Sequence, residues 1–169
     1  SSEDFLAHLP KVLGTNLAIM VGFYFLLAGT AWLLGYVWFK SRWSPRKIIA
    51  GYPSGADLRR EIFYSVASVL IFAAALVLTW WLTGIGWTRV YVDIDDHPRW
   101  WLPASFLLTV VVHDAYFYWT HRLLHTRALY RWFHHTHHRS HNPSPFTAYA
   151  FAPLEAVVQA AILPLAAVL

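Results

Sequence analysis

Four long apolar stretches set the hydrophobic pattern of this chain, and they occupy residues 13–39, 62–83, 102–120 and 153–169. The first two contain no charged side chain, the third is interrupted only by His113 and Asp114, and the fourth contains a single acid, Glu155. A helix that crosses a bilayer needs about 20 predominantly apolar residues. The pattern therefore predicts an all-α, polytopic membrane protein with about four transmembrane helices, in which residues 1–169 form a single membrane domain.

The composition agrees with this class. Hydrophobic residues make up 57% of the 169 residues and charged residues only 13%, whereas a soluble domain carries about a quarter charged residues. The chain has no cysteine. A transition-metal site in this protein would therefore have to be built from nitrogen and oxygen ligands.

The connections between the apolar stretches alternate in charge. The first connection has one acid, Asp57, against the basic residues Lys40, Arg42, Arg46, Lys47, Arg59 and Arg60. The second connection and the N-terminus are acidic, with Asp93, Asp95, Asp96, Glu3 and Asp4. The segment after the third stretch is basic again, with Arg122, Arg127, Arg131 and Arg139. Because Lys and Arg are enriched in cytoplasmic loops, we expect residues 40–61 and 121–150 on the cytoplasmic side.

The net charge of +4 does not indicate a nucleic-acid partner. The basic residues flank the apolar stretches and do not form a separate basic face. Contact with anionic lipid headgroups is the better explanation of such a distribution.

Eight of the ten histidines fall between residues 113 and 141. Imidazole binds iron, zinc and copper where no thiolate is available. His121 and His125 are four residues apart, so on a helix they share one face. A second group also shares a face and consists of His134, His137, His138 and, if the helix extends that far, His141. This histidine region, residues 113–141, is the candidate metal site.

Helical geometry gives three other polar residues of this region different positions relative to the two groups of histidines. His135 points about 100° away from His134. His113 lies about two turns before His121 and off its face, and it is kept as a further candidate ligand. Asp114 lies close to the His121 face, and an ionisable residue inside a span is a functional candidate because a charge in hydrocarbon is costly. We interpret Asp114 as a residue that supports catalysis, either by accepting an imidazole N–H or by pairing with an arginine.

The order and flanks of these histidines resemble the fatty acid hydroxylase and sterol desaturase superfamily of integral-membrane, non-haem di-iron enzymes. The matching segments are residues 114–125, 132–138, 140–145 and 148–155. The resemblance implies O2-dependent oxidation of a lipid, by hydroxylation or desaturation of a sterol-like or fatty acyl substrate. It implies an iron pair as the cofactor, with zinc able to substitute in vitro. The implied ligands are His121, His125, His134, His137 and His138, and His113 and His141 are additional candidates.

The resemblance also carries expectations about completeness and partners. Family members have a further His-x-x-His-His box, which does not occur within these 169 residues. We therefore expect the chain to be the N-terminal part of an enzyme and to be inactive by itself. Electrons would come from a cytosolic donor such as a ferredoxin or a cytochrome b5-like protein, which the arginine-rich side could dock.

Two other classes stay open at this point. A membrane metal transporter or metal-binding protein could also have a histidine-rich cytoplasmic loop, but a transporter needs ionisable residues along several spans, and the first two spans contain none. A bis-histidine haem cytochrome would need imidazoles within two facing spans, and only His113 lies well inside one.

Single-cysteine labelling tests the predicted topology. Cysteines at Ser54 and Ser140 are expected to be protected from a membrane-impermeant reagent added outside, and one at Asp95 to be labelled, because the positive loops stay in the cytoplasm. Labelling of position 54 from outside, with position 95 protected, would contradict the orientation.

Overall fold

The computed structural model describes residues 2–91 and 93–169, with side chains from Leu6 onward. Glu3 and Asp4, which entered the topology prediction, lie outside the described side chains. Helix is the only regular secondary structure of the described residues, which contain no strand, as predicted. Its helices are α1 (Ser2–Trp32, continued by a π-helical segment Leu33–Trp38), α2 (Lys40–Trp43), α3 (Gly55–Gly84), α4 (Trp101–Leu124), α5 (His135–His138, preceded by a π-helical turn Tyr130–His134), α6 (Pro153–Ala160) and α7 (Ile162–Val168).

Two of these helices are long and apolar enough to cross a membrane. They cover Leu6–Trp38 and Gly55–Gly84, with mean hydropathies of 2.0 and 2.3. Only 11% and 22% of their most apolar windows are buried inside the structure. Most of this apolar surface faces outward, as it does in a helix whose surroundings are lipid, and not inward as in the core helix of a soluble protein.

The third and fourth predicted spans are not shown by the structure and stay predictions. Residues 102–120 lie in α4, but His113, Asp114 and the aromatic residues of its second half make this helix less apolar than α1 and α3. Residues 153–169 contain a short apolar helical segment, Pro153–Val168, which an interruption at Ala161 divides into α6 and α7. The break at Ala161 has a local cause, because Pro164 has no N–H to donate to the carbonyl of Ala160 and its ring clashes with that carbonyl.

Helix α3 begins earlier than the predicted span because of its N-terminal cap. The Ser54 hydroxyl accepts a hydrogen bond from the Asp57 N–H at 3.1 Å, and the Asp57 carboxylate accepts one from the Ser54 N–H at 3.2 Å. This capping box satisfies two helix-terminal donors reciprocally. The cap therefore brings Arg59, Arg60 and Glu61, which precede the apolar stretch, into the first turns of α3.

Helix α3 packs against α1, α6, α7 and the turn at Pro145–Tyr149. Its buried face carries small side chains, with Ser65, Ser68 and Ala73 at most 1% exposed. Ala156 and Ala160 supply the matching small residues on α6. Small residues let helix backbones approach closely where packing, and not burial from water, holds helices together. The packing of α6 on α3 fixes where the second half of the chain sits, and it thereby positions the histidine region.

Candidate metal centre

The last turn of α4 presents the first pair of histidines. His121 and His125 are one turn apart, and their Nε2 atoms are separated by 3.2 Å. Two nitrogens bound to one ion at about 2.1 Å lie roughly 3.0–3.4 Å apart. This first pair therefore already has the spacing of two ligands on a single metal ion.

A tight reversal after α4 brings the second group of histidines back onto the first. The Thr126 N–H donates to the Leu123 carbonyl, and the Leu129 N–H donates to the Thr126 carbonyl, so the chain turns within a few residues. The returning segment, Tyr130–His134, is π-helical. Single π-helical turns occur frequently at functional sites because they change the direction in which a side chain points. Here the turn ends on His134, whose side chain is fully buried.

His134 lies at the centre of five imidazole rings. Its ring centroid is 4.5 Å from that of His121, 4.6 Å from that of His125, 5.5 Å from that of His137 and 4.6 Å from that of His138. The rings of His125 and His138 are 5.0 Å apart. The structure thus brings together the five histidines that the resemblance implied as ligands, and we refer to them below as the histidine cluster.

Three members of the histidine cluster have nitrogens arranged to share an ion. One ligand atom from each of His121, His125 and His134 lies within 4.8 Å of the other two. Opposite ligands of an octahedral ion at about 2.1 Å are about 4.2 Å apart, so a small side-chain adjustment separates this arrangement from coordination.

A buried carboxylate orients the central imidazole. Glu155, near the start of α6, is 1% exposed, and its Oε1 is 2.6 Å from the His134 Nδ1. An ionised Glu155 accepts this hydrogen bond from the Nδ1–H, and in this tautomer the lone pair of His134 is on Nε2. Histidines that bind metals commonly donate their other ring N–H to a carboxylate in this way.

The unpaired atoms of the cluster fit a metal ion. The His134 Nε2 and the His137 Nδ1 are buried, and neither has a hydrogen-bond partner within the described structure. A buried ring nitrogen without a partner is costly, so one that is surrounded by other imidazoles indicates a site built for a ligand. The donor set is entirely imidazole, which suits iron, zinc or copper and is a poor match for magnesium or calcium.

Burial keeps four of the five histidines of the cluster neutral. Desolvation, with the neighbouring imidazoles acting in the same direction, lowers the pKa of His134 to about 3. Burial also lowers the pKa of His121, His137 and His138, again reinforced by the surrounding histidines. A neutral imidazole has the free lone pair that a metal requires. At these four histidines, protons will therefore compete with a metal only below the usual pKa range of histidine.

The remaining predicted site residues lie outside the histidine cluster. The Asp114 Oδ1 is 3.3 Å from the His113 Nδ1, and both side chains are more than half exposed. His135 is exposed and contacts the ring of Tyr130, and His141 is exposed. In this structure Glu155 occupies the carboxylate position that the sequence analysis considered for Asp114. The roles proposed for His113, Asp114 and His141 stay predictions.

Sequence reasoning noticed Glu155 as the single acid of the fourth apolar stretch but assigned it no role. The signal was available, because an ionisable residue in an apolar segment is a functional candidate. That argument was applied to Asp114 alone. What the sequence does not contain is the packing of α6 against the π-helical turn, which brings Glu155 to His134 across 21 residues.

Comparison with known proteins agrees with the geometry. The family model for fatty acid hydroxylases matches residues 106–169, which include the histidine cluster and Glu155. The chain belongs to the fatty acid hydroxylase and sterol desaturase superfamily. Its exposed apolar helices and the membership of this superfamily make it a membrane protein.

Two relatives of this chain have the names of sterol-modifying enzymes. A Delta(7)-sterol 5(6)-desaturase of Aspergillus fumigatus is 34% identical over 120 residues, which cover 67% of this chain and 37% of that protein. Lathosterol oxidase of Rattus norvegicus is 35% identical over 105 residues, covering 61% of this chain and 35% of that protein. The chain thus spans about a third of the length of these relatives. No solved structure is significantly similar to it.

Removing the central histidine tests the ligand assignment. His134→Ala is expected to abolish iron binding and activity in the full-length protein, because His134 contacts the four other rings. Alanine at His121, His125, His137 or His138 should also lower the iron content, measured by elemental analysis of purified protein. His8→Ala and His97→Ala serve as controls and should be close to wild type. If His134→Ala kept full iron while His97→Ala lost it, the assignment would be wrong.

Removing the carboxylate tests the orientation of His134. Glu155→Ala should weaken metal affinity by about 10–100-fold, since the loss of a partner that orients a ligand commonly has this effect. The matched control is Gln159→Ala, one turn further along α6, which should bind the metal as the wild type does. Titration of each variant with a metal ion in detergent measures the two affinities. Equal affinities for Glu155→Ala and Gln159→Ala would contradict the role of Glu155.

Proposed function

We propose that this protein is an O2-dependent lipid hydroxylase or desaturase whose non-haem di-iron centre is held in part by the histidine cluster. The observation that carries the proposal is the cluster itself, in which four imidazoles surround that of His134 and Glu155 orients His134. The names of the relatives support oxidation of a lipid, since they are sterol desaturases and lathosterol oxidases. They favour a sterol-like substrate over a fatty acyl one.

The residues of the histidine cluster would bind two different iron ions. His121, His125 and His134 would hold one iron, and His137 and His138 lie beside them for a second. Bound iron would supply the activation of O2 that oxidation of an unactivated C–H bond needs. Glu155 keeps the His134 proton on Nδ1, so Nε2 stays free to bind. Burial keeps water away from His134, which favours a neutral ligand and protects a reactive centre from the bulk solvent.

An apolar cleft beside α1 supports lipid access to the centre. It has a volume of about 380 Å³ and lies between α1 and the turn at Pro145–Tyr149, where Tyr149 is one of its walls. Ring contacts connect this wall to the histidine cluster, from Tyr149 to Phe72 at 5.6 Å, from Phe72 to Phe151 at 6.5 Å and from Phe151 to His137 at 5.4 Å. A lipid in this cleft would thus lie three ring contacts away from a proposed ligand of the metal.

The basic side of the histidine region supports a cytoplasmic orientation and an acidic electron donor. Arg122, Arg127, Arg131 and Arg139 are all exposed. Oxidation with O2 consumes electrons, and complementary charge speeds the docking of a redox partner. We propose that a ferredoxin or a cytochrome b5-like protein docks here from the cytosol.

Lipid analysis tests the proposed function. Expression of the full-length protein should produce a host or supplied sterol that has gained one oxygen atom or lost two hydrogens, read by mass spectrometry. The change should require both O2 and a reductant, and it should be lost in His134→Ala but kept in His97→Ala.

The opposite result would favour the transporter. Flux of iron or zinc across proteoliposomes, without any oxidised lipid under conditions that supply O2 and reductant, would overturn the proposal.

A further inference from the structure

A second buried acid lies on α3, away from the contacts of the histidine cluster. Glu61 is 1% exposed, and its Oε2 accepts a hydrogen bond from the hydroxyl of Ser144, which is 6% exposed. Its other oxygen, Oε1, is buried and has no hydrogen-bond partner within the described structure. An acid at this depth is expensive, because only one of its two oxygens recovers a hydrogen bond. A gain in stability therefore does not explain why Glu61 is there.

Ser144 belongs to the loop that connects the second group of histidines to the helix that carries Glu155. The loop, residues 139–147, follows His138 directly and leads into α6, which carries Glu155. Ser144 lies six positions after His138 and eleven before Glu155. A displacement of this loop would move the second histidine group relative to the carboxylate that orients His134.

Several side chains of α1, α3 and the segment between them hold the loop. The Tyr24 hydroxyl donates to the Phe146 carbonyl at 2.9 Å, and the Ser65 hydroxyl donates to the same carbonyl at 2.8 Å. The Lys47 ammonium donates to the Asn142 Oδ1 at 3.1 Å. The hydrogen bond from Ser144 to Glu61 also holds this loop. Among the described residues, it is the contact of the loop in which both partners are buried side chains. Water cannot substitute for it as it can for an exposed contact.

We propose that Glu61 is a positioning residue for the metal centre. Through Ser144 it fixes the loop 139–147 on α3, and the fixed loop sets His137, His138 and Glu155 in register around His134. The proposal rests on the proposed function only in taking the histidine cluster as the metal site. It assigns a role to an acid that touches neither substrate nor metal and that the pattern of apolar stretches does not single out.

Variants at Glu61 and Ser144 test the proposal in the full-length protein in detergent, with Co²⁺ as the probe metal. The visible absorption of Co²⁺ reports the coordination geometry. Glu61→Leu and Ser144→Ala should each weaken Co²⁺ binding about tenfold or more and change the spectrum, as the loss of an outer partner commonly does. Glu61→Gln should largely keep the wild-type Co²⁺ affinity and spectrum, since its amide oxygen can still accept the hydrogen bond from Ser144. The double variant Glu61→Leu/Ser144→Ala should be no worse than either single one.

Ser68→Ala is the matched control. Ser68 is a buried serine two turns along α3 from Glu61, and its hydroxyl has no partner within the described structure. It should keep the wild-type spectrum. A wild-type spectrum and affinity for Ser144→Ala, which removes only one oxygen atom, would overturn the proposal even if Glu61→Leu failed to fold.

Hydrogen exchange on the metal-free protein separates this proposal from the proposed function. Glu61→Leu and Ser144→Ala should speed amide exchange in residues 139–147 and leave the distal part of α3, residues 69–84, unchanged. Faster loop exchange with an altered Co²⁺ spectrum would support the positioning role even if no lipid were oxidised. Unchanged exchange in the loop would overturn it even if the wild type proved to be a lipid oxidase.

Discussion

The hydrogen bond between His134 and Glu155 is the interaction on which the candidate centre depends. It joins a π-helical turn to the start of α6, and both side chains are almost completely excluded from solvent. A buried carboxylate and a buried imidazole are each unfavourable alone, and each becomes tolerable through the other. The bond also decides the tautomer of His134 and therefore which nitrogen faces the other four imidazoles. Without it, the most buried ring of the cluster would have no defined orientation.

The packing of the helices explains how His134 and Glu155 are held at hydrogen-bonding distance. Helix α3 is the common packing partner, since it contacts α1, α6, α7 and the turn at Pro145–Tyr149. Its small buried residues allow α6 to approach closely, which carries Glu155 to its place. Glu61, which also lies on α3, holds through Ser144 the loop that leads into α6. Two buried acids thus act on opposite ends of one segment, the first on a ligand and the second on the chain that positions the ligands.

The apolar exteriors of α1 and α3 give the centre its surroundings. Large side chains such as Phe23, Leu27 and Phe63 are more than half exposed, which water would not favour and lipid does. Apolar side chains thus cover the outer faces of α1 and α3, and the histidine region has four exposed arginines, Arg122, Arg127, Arg131 and Arg139. Under the proposed function, an apolar substrate and a charged redox partner would approach the centre over different parts of this surface.

The set of five histidines came from the resemblance to the superfamily. The sequence by itself predicted the helical class, four apolar spans of which two are seen as the long helices α1 and α3, and two groups of histidines that each share a helix face. These properties depend on local periodicity, since residues four apart on a helix share a face whatever the rest of the chain does. Local periodicity did not predict the interruption at Ala161, although its cause, Pro164, is present in the sequence and acts on the turn before it. Nor could it assign the carboxylate. Asp114 is the acid nearest to the first pair along the chain, but Glu155 reaches His134 only through the packing of α6 against the π-helical turn. Glu61 likewise meets Ser144 across 83 residues. Contacts between distant segments depend on how the helices pack, and only the tertiary structure decides them.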